Sequence, residues 1–80
     1  MRASAYVLVT VTSGKAREVR DQITKLRDVT LVDAVLGPYD LIASVTGADF
    51  NSIGNLVIEK MHSIQGVERT LTCNVIVLEE

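Results

Sequence analysis

Three observations predict an α+β fold for this chain of 80 residues. Four stretches read as strands, rich in Val, Ile and Thr, and two carry apolar residues at helical spacing. Their order is strand, helix, strand, then strand, helix, strand again. The two halves also echo each other: "VLVTVTSGKAREV" and "LIASVTGADFNSI" each run from an apolar strand through a Thr/Ser/Gly junction into a helix start.

The first strand is placed at residues 3–12, with Val7, Val9 and Val11 on one face. Ser13 is the expected N-cap of a helix over 14–26, whose Ala16, Val19, Ile23 and Leu26 recur every three or four residues while charged side chains fill the other faces. The second strand is expected at 29–36 and the third at 40–46. Asp49 then caps a second helix with an apolar stripe of Phe50, Ile53, Val57, Met61 and Ile64, widened by Leu56 and Ile58. Gly66 has the place of a left-handed C-terminal residue. The fourth strand is expected over 67–78. Right-handed crossovers in both halves give a four-stranded antiparallel sheet ordered 4-1-3-2 with both helices on one face, the ferredoxin-like βαββαβ arrangement. Residues 1–80 read as one domain, with no linker or composition shift.

The other sheet face should alternate with polar residues if it meets water. Instead Tyr6 and Leu8 stand opposite Ala5, Val7 and Val9, and Ile42 opposite Leu41 and Ala43. A chain with 48% hydrophobic residues and a mean hydropathy of +0.28 is expected to cover that face with a second copy, as a sheet-to-sheet homodimer.

Composition excludes several functions. Ten acidic against eight basic residues and a pI near 5.3 argue against direct nucleic-acid binding. No apolar run approaches the roughly 18 residues of a membrane helix. The N-terminal run alternates with Ser and Thr and reads as a strand, which makes the protein cytoplasmic in this reading. One cysteine, Cys73, rules out an internal disulfide, and with His62 as the only histidine no metal cluster or cofactor is expected.

Candidate chemistry is correspondingly sparse. "TSGKA" sits where a phosphate loop would, but Val9 and Ala16 occupy positions that need Gly and Ser or Thr. His62 falls at the end of the second helix, where its charge complements the helix terminus. Cys73 is expected to pack as a small apolar side chain. Asp21, Asp28, Asp33, Glu59, Glu79 and Glu80 are scattered and form no obvious acid–base pair. The break in "DAVLGPYDLIASV" is different. A type I turn accommodates Pro38 at its second position and Asp40 at its close, yet demands no positive φ at Gly37. A bulge, or close approach of a backbone or ligand, would explain the glycine.

"GPYDLIASVTGADF" followed by "HSIQGVERTLTCNVIVLEE" resembles the effector (RAM) domain of the Lrp/AsnC, or feast/famine, transcriptional regulators, over essentially the whole chain. The resemblance implies the same βαββαβ unit, homodimers paired through their sheets, and rings of four or five dimers, that is octamers or decamers. It implies an amino-acid effector bound between dimers at Gly37, Tyr39 and Asp40, with Thr70 and Thr72 nearby. Asp40 would accept the ammonium, while loop amides and Thr hydroxyls would donate to the carboxylate. The family's winged helix-turn-helix has no counterpart, because the chain starts almost at its first strand. The resemblance is therefore to stand-alone members, which would act without touching DNA and would partner full-length regulators. Pro38 departs from the pattern by removing one amide donor. Two rivals remain from the residues alone: a small dimeric enzyme of monooxygenase or isomerase type, for which His62 supplies no constellation, and a purely structural assembly module. The ACT-type amino-acid domain shares the element order but pairs differently.

Overall fold

The computed structural model describes residues 2–79; Met1 and Glu80 lie outside the described residues. Its elements are β1 (Ala3–Val11), α1 (Ala16–Thr24), β2 (Val29–Ala34), β3 (Leu41–Gly47), α2 (Phe50–Leu56) running on into a π turn (Val57–Met61), and β4 (Val67–Asn74). The antiparallel sheet is ordered β2-β3-β1-β4, the expected topology.

Alternation decides which face is core. Ala5, Val7 and Val9 of β1 and Leu41, Ala43 and Val45 of β3 are buried against Val19 and Ile23 of α1 and Ile53, Val57 and Met61 of the second helical segment. On the opposite face the register lines Leu8 up with Ile42 and Leu71, and Tyr6 with Ser44 and Cys73. Tyr6, Leu31 and Leu71 are each about half exposed there, an apolar surface uncovered by either helix.

Several boundaries differ from the sequence reading. Ser13 is not the cap of α1: Gly14 turns at φ 82, the Lys15 amide donates to Thr12 O at 2.9 Å, and Lys15 takes the cap position without a side-chain bond. The helix stops at Thr24 because the Lys25 and Leu26 amides tighten onto Gln22 O and Ile23 O. Asp49 does cap α2, accepting the Ser52 amide at 2.8 Å. Of the second helix's stripe, Ile53, Val57 and Met61 are buried and Leu56 and Ile64 pack at the margin of the core, but Phe50 and Ile58 face solvent. β4 ends at Asn74, which pairs with Ala5; the Val75 amide makes one more bond to Ser4 O at 2.9 Å, but the ladder is not continued although β1 reaches Ala3. Val75, Ile76, Val77 and Leu78, expected within the strand, are exposed beyond it. Cys73 is exposed on the open face rather than packed.

Gly66 is required on two counts. Its φ is 105, and an added Cβ would lie 2.8 Å from Val19 Cγ2, so the chain can pass α1 only without a side chain.

Candidate functional site

The site is assembled at the end of β1, where the β2–β3 loop on one side and β4 on the other approach the same residues. Val9 pairs with Leu41 of β3 and with Thr70 of β4. The loop preceding Leu41 is thereby carried across the strand end towards residues 69–71.

Hydrogen bonds hold the loop in place. The Asp40 amide donates to Val9 O at 2.9 Å, and Asp40 O accepts the Val35 amide at 3.0 Å. The Asp40 carboxylate accepts the half-buried Val11 amide through Oδ2 at 2.8 Å. A side chain thus replaces the backbone acceptor that β1 lacks beyond Leu41. Gly37 turns at φ 154, correcting the expectation that this turn demands no positive φ. A Cβ there would meet nothing within 4 Å, so the backbone angle, and not crowding, is the reason for glycine in the isolated chain.

A β-bulge prepares the facing wall. Thr10 pairs with Arg69 but Val11 pairs with Val67, leaving Glu68 as the extra residue of β4. The bulge reverses the pleat. Val67, Thr70 and Thr72 share the side of the sheet that buries Val11, Val9 and Val7, while Arg69 and Leu71 share the open face with Thr10 and Leu8.

A groove of about 300 Å³ lies between these walls, lined by Pro38, Tyr39, Arg69, Thr70 and Leu71. Of the five residues expected at the site, the structure brings Tyr39 and Thr70 together in it. Gly37 and Asp40 shape and anchor the loop behind it. Thr72 lies two residues further along β4, on the face of Thr70 but outside the groove, roughly 7 Å away along the strand. Arg69 was not singled out from the sequence. Its signal is a lone cation within "GVERTLT", which reads as a solvated strand charge until the bulge is known.

His62 reaches the same place from the helix side. The π turn closes with the His62 amide on Val57 O at 3.0 Å, and the ring Nε2 lies 2.8 Å from Thr70 Oγ1. π turns are common at functional positions because the extra residue re-aims the side chain that follows. Here it ties Thr70 down. Among the described residues no group of three potential metal ligands occurs, and no helix is long and apolar enough to cross a membrane.

The fold is widely shared. A protein of Thermus thermophilus superimposes with a TM-score of 0.89 over 98% of both chains, at 31% identity. A transcriptional regulator of Neisseria meningitidis, solved in complex with L-Met, superimposes with a TM-score of 0.84 at 22% identity, over 94% of this chain and 50% of that one. An uncharacterized helix-turn-helix-type transcriptional regulator of Pyrococcus furiosus is 39% identical over 56 residues, which is 70% of this chain and 37% of the relative. The chain spans about two fifths of the length of the curated relatives it matches. The family model of the Lrp/AsnC ligand binding domain runs over residues 4–79, from the first strand past the last and through every residue that lines the groove, so the chain belongs to that family.

Proposed function

We propose that this domain is a non-enzymatic amino-acid-binding module that dimerises through its open sheet face, assembles into rings of four or five dimers, and acts in the cytoplasm on Lrp/AsnC-type transcriptional regulation without itself contacting DNA. The observation that carries this reading is the groove in which Tyr39 of the loop and Thr70 of β4 come together. Tyr39 offers an aromatic wall for a side chain, and its amide with the Thr70 hydroxyl offers donors for a carboxylate. Asp40 holds the Val11 amide through Oδ2 from behind the loop, and so anchors the segment that carries Tyr39 without lining the groove. The complex of the Neisseria meningitidis regulator with L-Met supports an amino acid as the class of effector. The half-exposed Tyr6 and Leu31 support the sheet-to-sheet dimer, since each such side chain contributes about 1.5–3 kcal/mol when fully buried.

Ligand shifts assembly only where it binds one state better than another. The test is a thermal-shift panel of the twenty amino acids with light scattering on the same samples. A selective rise in midpoint, on the order of several degrees at 100 times the dissociation constant, is expected. A second reading, an assembly module that binds no effector, is favoured by one observation: Asp40 already serves the Val11 amide. Stable dimers or rings that respond to no amino acid would establish it.

A further inference from the structure

We infer that Arg69 is the carboxylate anchor of this groove, and that the groove therefore selects free α-amino acids with uncharged side chains. The inference rests on the amino-acid-binding reading above and adds to it a residue and a selectivity.

The argument begins with donors. A carboxylate in a groove needs N–H or O–H groups directed at both oxygens. The loop wall is poor in them: Pro38 has no amide hydrogen, which leaves Tyr39 as the loop residue lining the groove that offers one. On the other wall, the Thr70 hydroxyl lies 2.8 Å from His62 Nε2, and the tautomer of that ring sets whether it can also donate to a ligand. Among the described residues, Arg69 is the one charged donor lining the groove. Its planar guanidinium presents five N–H donors in a fork that matches a carboxylate bidentately.

Arg69 is also available. Arg2, Lys15 and Arg20 each pair with a carboxylate, to Asp28, Glu18 and Asp21 respectively, whereas among the described residues Arg69 pairs with none. The bulge at Glu68 matters here as well. It puts Arg69 and Leu71 on the open face and Thr70 on the helix side, the reverse of plain alternation from Val67, and all three residues line the groove. An anion at Arg69 would lie beside Tyr39 and Leu71, an apolar flank that suits a ligand side chain without charge. A basic side chain would meet Arg69 itself and be repelled.

The experiment is calorimetric titration of the whole chain with each of the twenty amino acids, followed by the α-carboxamides of those that bind, against the wild type, Arg69→Gln and Arg69→Lys. The wild type is expected to prefer the free acid over its carboxamide by on the order of 10- to 100-fold, and to bind neither Lys nor Arg. Arg69→Gln should erase that preference by weakening the acid to the level of the carboxamide, and Arg69→Lys should keep part of it. Arg69→Gln that binds the acid as the wild type does would overturn the anchor while leaving the amino-acid reading in place. Equal weakening of acid and carboxamide would overturn it too, since a disrupted groove does not discriminate. Wild type that binds none of the twenty overturns both.

Discussion

The Asp40 carboxylate accepts the Val11 amide at 2.8 Å, so one side chain both ends the β2–β3 loop and completes the hydrogen bonding of β1. This makes Asp40 a structural residue whatever else it binds. Asp40→Ala leaves a half-buried amide without its acceptor and is expected to cost about 1–3 kcal/mol. Denaturant titration measures the loss, and amide exchange at Val11 locates it. Unchanged stability with unchanged protection of that amide would show that the bond contributes nothing.

Gly66 and Gly37 separate two reasons for glycine. Gly66→Ala must place a methyl 2.8 Å from Val19 Cγ2 at a φ of 105, and is expected to destabilise by about 1–3 kcal/mol. Gly37→Ala meets only the backbone penalty and should cost less, because nothing lies within 4 Å of its Cβ. Equal losses for the two would remove crowding from the account of Gly66.

Truncation of the core tests how little stability a chain of this size carries. Ile23 and Ile53 are fully buried beneath the sheet, one from each helix. Either Ile→Ala change is expected to cost about 2–5 kcal/mol, a large share of the 5–15 kcal/mol typical of a domain. The melting midpoint of such a variant should rise with protein concentration if a dimer holds it folded.

Asp49 links stability to acid. Its carboxylate is held below its ordinary value of 3.8 chiefly by the Ser52 amide, then by the Ser52 side chain, with a smaller contribution from the Asn51 amide. The folded value is the lower one, so the stabilisation is complete above the unfolded value and is lost as the pH falls through the folded one. Asp49→Asn keeps a capping oxygen and should flatten the dependence of the midpoint on pH in the acid range around and below that value. A profile identical to the wild type would assign the acid loss to other groups.

Leu31 lies on the open face opposite Ser44, and Ile58 is exposed on the second helical segment. Leu31→Asp is expected to halve the mass measured by light scattering at micromolar concentration, and Ile58→Asp to leave it unchanged. The reverse result would move the dimer interface to the helices.

Local pattern was enough for much of the fold. Alternation assigned Val7, Val9, Leu41, Ala43 and Val45 to one side of the sheet, and an acid before an apolar stripe marked Asp49 as a cap, because these depend on residues within one turn or one pleat of each other. The family signature placed Tyr39 and Thr70 at one site, and the structure brings both into the same groove. Tertiary structure alone decided the rest. Counting by two from Val67 would put Arg69 on the core side and Thr70 outward; the extra residue at Glu68, set by pairing with a strand more than fifty positions away, reverses both. The pairing of β4 with β1 stops at Asn74, and residues 75–78, apolar enough to read as strand, are exposed beyond it. Asp40 meets Val11, and His62 meets Thr70, only after non-adjacent segments have packed. Periodicity records which way a side chain points along its own element, while register, bulges and the partners of polar atoms are settled between elements.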